Sequence, residues 1–133
     1  MNRGLRFAFD ANTALTFVAF ALLVVRPKML PDGVGVYVDP SGYFLGYMLG
    51  AAESGLATMT FLGRRITDRQ ALRAISLACI VFHLCSAAVL IVTFANGGSD
   101  FPLGLWANVV IPRFGIAALC AYFGLHRLRV NAK

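Results

Sequence analysis

Four apolar runs of about twenty residues each divide this chain, and they constrain its fold more than any other feature. A helix of roughly that length crosses a hydrocarbon core of about 30 Å. The runs lie at about 7–25, 42–63, 72–95 and 103–125, and together they occupy most of the 133 residues. The first ends at Arg26-Pro27-Lys28 and the second at Arg64-Arg65. The third contains no Asp, Glu, Lys or Arg from Ala74 to Ala95, and the fourth ends at His126-Arg127. The expected fold is therefore all-α: an integral membrane four-helix bundle forming one transmembrane domain over residues 1–133. Composition excludes the soluble alternative. With 59% hydrophobic residues, 14% charged residues and a mean hydropathy of +0.73, a soluble domain this small could not hide its apolar surface.

The charges between the runs set an orientation. Arg3, Arg6, Arg64, Arg65, Arg69, Arg73, Arg127, Arg129 and Lys133 fall on one side of four spans, and Arg26 and Lys28 on the other. The positive-inside rule places both termini in the cytoplasm and the protein in the cell inner (plasma) membrane. The net charge of +6 therefore reflects topology, and nucleic acid is not an expected partner. The first run leads into Val24-Val25-Arg26-Pro27 without a small-x-small cleavage site, so it reads as a retained helix. Asp10, at its cytoplasmic end, is placed to offset Arg6 one turn earlier. The outer segment 26–41 carries Pro27, Pro31 and Pro40 and reads as a stiff, irregular, non-helical cap. Tyr37, Tyr43 and Trp106 fall at the level of an outer aromatic belt.

Three ionisable residues break the apolar runs. Counting 1.5 Å per residue from the helix ends puts Glu53, His83 and Arg113 roughly 14–18 Å deep, in one layer near the midplane. An ionised side chain there costs about 2.5–3.5 kcal/mol on insertion scales. All three are thus expected to turn inward, with Glu53 pairing to Arg113 and His83 bonding to one or both. His83 shares a helix face with Ser76, Cys79, Ser86 and Ala87. Pro112 cannot donate to the Asn108 carbonyl, so a kink is expected beside Arg113. Glu53, His83 and Arg113 form the candidate catalytic set, and Asn108, Tyr47, Trp106, Ser86 and Thr16 the candidate substrate-binding set. Cys79, Cys85 and Cys120 have no metal-ligand spacing, and neither a metal nor a cofactor is expected. Gly42, Gly46, Gly50, Ser54 and Thr58 recur every four residues, a small-residue stripe for helix packing inside the bundle or for a homo-oligomer.

The run from Arg26-Pro27-Lys28 through Gly46-Tyr47-Met48-Leu49-Gly50-Ala51-Ala52-Glu53-Ser54-Gly55-Leu56-Ala57 resembles small bacterial four-helix membrane proteins of the DoxX-like kind. There a helix ends at a proline-containing outer loop and a glycine-rich second helix follows. The resemblance implies the four-helix fold. Many of those proteins carry a basic residue in the glycine-rich helix, where this chain has Glu53. A more distant analogy, to membrane-embedded cyclases and isomerases, contributes the idea of an intramembrane carboxyl acting as an acid.

Three functions fit these residues. One is a membrane-embedded acid–base enzyme, an isomerase or cyclase acting on a lipophilic small molecule. Here Glu53 is the acid or base, His83 its partner and Arg113 the group that orients an oxygen; an acid role requires Arg113 to be engaged elsewhere than on Glu53. The second is a proton-coupled carrier or oligomeric channel-like protein, with Glu53 and His83 as proton relays. The third is an accessory subunit of a membrane complex, with the cluster fixing helix register. In each, membrane lipid surrounds the chain.

Overall fold

The computed structural model describes residues 3–29, 32, 37–97, 104 and 106–126, and it is helical with no strand among them. Helix α1 spans Arg3–Val25, α2 spans Tyr43–Gly63 and α3 spans Arg69–Gly97. The last helical stretch has three parts. A π-helical turn at Trp106–Val110 leads into α4, Ile111–Cys120, and a second π-helical turn follows at Ala121–His126. Pro31, Gly98, Asp100, Leu103, Arg127, Arg129 and Lys133 lie outside the described residues, as do the side chains of Trp106 and Asn108.

The ends of the elements follow from local chemistry. Asp68 caps α3, its carboxylate accepting from the Ala71 backbone N–H at 2.7 Å. The helix reaches back to Arg69, beyond the apolar run, because that cap sets its first turn. The cap segment 26–41, expected to be non-helical, is helical in places. The Asp32 N–H donates to the Lys28 carbonyl, and Pro40–Gly42 forms a 3-10 turn. Proline suits the first position of such a turn, where no N–H is needed. The Asp39 carboxylate caps it, and the Ser41 hydroxyl followed by the Gly42 N–H holds that carboxyl below its usual range of about 3.8. At Pro112 the interruption is a π-turn just before the proline, which absorbs the lost N–H by adding a residue to the turn.

Each helix turns one narrow stripe inward. The buried residues include Asn12 and Thr16 on α1; Gly50, Glu53, Ala57 and Thr60 on α2; Ser76, Cys79, His83 and Ala87 on α3; and Arg113, Ala117 and Cys120 on α4. These recur at three- and four-residue steps, the inward face of a helix. The outward faces carry Phe17, Val25, Phe44, Leu45, Leu77, Val89 and Ile111, all well exposed. Polar side chains thus turn inward among buried apolar ones such as Phe9, Leu56 and Ile116, while large apolar side chains also cover the outside, unlike a water-soluble bundle.

The helices associate in two pairs, α1 with α2 and α3 with α4, while α2 and α3 touch little. Small residues make the close approaches. A Cβ at Gly50 would meet Val24 and Leu23 of α1 at 3.3 and 3.4 Å, and one at Gly124 would strike Ser76 of α3. The stripe seen in the sequence therefore serves α1 at Gly46 and Gly50, whereas Thr58 is exposed. Steps of four residues drift about 40° per step around a helix of 3.6 residues per turn, carrying Thr58 off the contact.

Candidate functional site

The three ionisable residues meet in the middle of the bundle. Glu53 of α2 is 1% exposed, His83 of α3 0% and Arg113 of α4 8%. Arg113 Nη2 donates to Glu53 Oε1 at 2.6 Å, a charge-assisted bond between the two helix pairs. Arg113 Nη1 faces His83 Nδ1 at 3.4 Å, a longer and weaker contact. Phe82 lies below the guanidinium, 5.5 Å from ring centre to Cζ.

A fourth residue, Asn12, completes the site. His83 Nε2 lies 2.6 Å from Asn12 Oδ1, and Asn12 Nδ2 donates to Thr60 Oγ1 at 3.1 Å. Thr60 in turn donates to the Leu56 carbonyl at 3.0 Å, and Thr13 Oγ1 lies 2.8 Å from Thr60 Oγ1. One fact orders the protons along this chain: a guanidinium has donors only. Nδ1 of His83 must therefore accept, so the ring proton sits on Nε2 and Asn12 must present its oxygen. The Asn12 amide nitrogen then faces Thr60, whose oxygen accepts and whose proton goes to a carbonyl. Every bond runs in one direction, and His83 is neutral beside the Arg113 cation. The cluster as a whole is closed in charge: one carboxylate, one guanidinium, neutral partners.

Asn12 was not among the residues singled out from the sequence. The available signal was an amide inside an apolar run, one turn before Thr16 on the same face. Thr16 is fully buried, but its hydroxyl donates to the Asn12 carbonyl at 2.8 Å. Ser86 lines the cavity described next, and Tyr47 is exposed on the outside of α2. Asp10, expected to offset Arg6, pairs across helices with Arg64 at 2.7 Å. Arg64 also lies over the Phe61 ring, and that contact holds it within reach of α1.

Above the cluster, on the side away from Asp10 and Arg64, lies a cavity of about 440 Å³. Glu53, His83 and Arg113 form its floor. Its walls are apolar, with Leu15 and Leu23 from α1, Leu49 from α2, Val89 and Leu90 from α3, and Pro112 from α4. Arg113 Nε is buried without a hydrogen-bond acceptor among the described residues. The same residues contain no group of His, Cys, Asp and Glu arranged to hold a metal ion. Comparison with protein-family models, curated proteins and solved structures finds no match for this chain. Fold and site define a class only: an all-helical bundle, apolar outside, with an ion pair at the base of an apolar cavity.

Proposed function

We propose that the chain is a multi-pass protein of the inner membrane, crossing it four times with both ends in the cytoplasm, and that it is an acid–base enzyme acting on a lipophilic small molecule. Kinship with the DoxX-like four-helix proteins belongs to the same proposal. Two helices support the membrane reading directly, since α1 and residues Arg69–Val92 of α3 are long and apolar enough to cross a bilayer. The outward apolar and inward polar faces support it further, because only lipid is a good solvent for such a surface. The asymmetry of nine basic residues against two supports the orientation.

One observation carries the catalytic reading: the buried Glu53–Arg113 pair forms the floor of a cavity instead of being sealed between helices. A clamp that only fixes helix register needs no cavity beside it. The direct bond to Arg113 favours a base over an acid, so isomerisation fits better than acid-triggered cyclisation. A Glu53 carboxylate oxygen takes a proton from the carbon beside a carbonyl. The C–H electron pair becomes the C=C bond of an enolate, whose oxygen gathers negative charge beside Arg113. Where the carbon beside the carbonyl also adjoins a C=C bond, the enolate extends over that bond. Return of the proton from Glu53 to its far carbon then shifts the double bond into conjugation, releases the isomer and restores the carboxylate. His83 is a positioning residue in this scheme, since it touches Arg113 and keeps its ring proton.

Exchange of hydrogen for deuterium tests the step. Protein in lipid vesicles in D₂O should speed deuterium uptake beside the carbonyl of 2-dodecanone, and Glu53→Gln should slow it at least about a hundredfold, the share of a positioned base. Equal rates with the variant, or with empty vesicles, would remove the catalytic reading.

A further inference from the structure

The shape and charge of the cavity specify what it can hold. It runs along all four helices in the same sense. On α1 it follows Leu15, Ala19 and Leu23, a length of roughly 12 Å at 1.5 Å per residue. Leu49 lies one turn from Glu53, Leu90 two turns from His83, and Val109 one turn from Arg113, all toward the same end. The space is a shaft, polar at the bottom and apolar above. Its 440 Å³ holds roughly fifteen heavy atoms at the share of about 30 Å³ that a water-sized group takes in a liquid.

The floor constrains the head of the ligand. Glu53 already balances Arg113, so an anion would set two negative groups on one guanidinium, and a cation two positive groups on one carboxylate. A neutral oxygen acceptor meets neither cost, and the buried Arg113 Nε–H is a donor that no described residue uses. The wall supplies an entrance. Cys85 and Val89 line the shaft yet are exposed on the outer face of α3, and Leu49 is partly exposed on α2. All three belong to α2 and α3, the neighbouring helices that scarcely touch.

We propose that this shaft takes a neutral lipophile with a single carbonyl-type oxygen and an apolar body of up to about fifteen heavy atoms, which enters sideways from the bilayer between α2 and α3, oxygen first. The inference rests on the site proposed above but not on its chemistry. It sets the ligand apart from fatty acids and alkyl amines, which share the tail and carry a charge.

Photolabelling tests it on the full chain in lipid nanodiscs, with a twelve-carbon methyl ketone bearing a diazirine in mid-chain as the probe. Cross-links should gather on Leu49, Cys85 and Val89. Unlabelled 2-dodecanone should compete at least about tenfold better than dodecane, the worth of one hydrogen bond to a charged donor. Dodecanoate and dodecylammonium should compete no better than dodecane. In the charge-neutral double variant E53Q/R113M, ketone and alkane should compete alike, which keeps the test open if either single variant fails to fold. Equal competition by ketone and alkane in the native protein would overturn the proposal. So would stronger competition by dodecanoate, or labelling spread evenly over outward residues such as Phe44 and Leu77. Specific labelling without accelerated deuterium uptake supports the ligand assignment and removes only the catalytic reading.

Discussion

Asn12 carries more of the site's order than its single position suggests. Its oxygen accepts the hydrogen bond from His83 Nε2 and its nitrogen donates to Thr60, so one side chain both holds the tautomer that Arg113 selects and ties α1 to α2. Asn12→Leu would leave a buried imidazole N–H without an acceptor, at a cost of about 1–3 kcal/mol. Thr16→Val removes a hydroxyl bonded only to carbonyls of its own helix, and should cost less than the average of about 0.6 kcal/mol for bonds made between membrane helices. Unfolding of both variants in one detergent checks the order, and an Asn12→Leu variant as stable as Thr16→Val would contradict the proton assignment. Glu53, His83 and Arg113 stood out in the sequence because an ionisable group in an apolar run has few places to go. Asn12 did not, since an uncharged amide inserts at far lower cost and so carries a weaker signal.

At the scale of the element, the glycines separate close approach from mere presence. Gly124 lies buried against Ser76, where an added methyl has no room, whereas a Cβ at Gly115 meets nothing within 4 Å. Gly124→Ala should therefore destabilise by about 1–3 kcal/mol through overpacking. Gly115→Ala, at an exposed helical position, should be neutral or stabilise by up to about 1 kcal/mol. Thermal unfolding distinguishes them, and equal effects would mean that the α3–α4 contact is looser than described. Helix existence was legible from the apolar runs, and the break near Pro112 from the missing N–H. The π-turn that accommodates the break was not, because a proline can be taken up by a kink or by a π-turn and packing decides between them. The small-residue stripe was legible as a pattern, but its four-residue step concealed how soon it leaves the contact.

For the whole molecule, the arrangement of helices into two pairs with a gap between α2 and α3 is what turns a polar cluster into a site. Helix order around a bundle depends on contacts distant in sequence, so nothing in the runs themselves disclosed it. The depth count did place the three ionisable groups in one layer, and depth survives any order of helices. The pair Glu53–Arg113 is the charged link between the two halves, and whether it exists to hold them together or to meet a ligand is the central question. Breaking one partner of a buried pair costs about 3–5 kcal/mol, whereas replacing both by neutral groups is often nearly neutral. The decisive measurement is the thermal stability of E53Q/R113M and the native protein in nanodiscs, with and without 2-dodecanone. The account predicts a double variant within about 1 kcal/mol of the native protein that has lost the ligand's stabilising shift. A double variant that is much less stable, yet is still shifted by the ketone as the native protein is, would show the pair to be structural and would contradict the account.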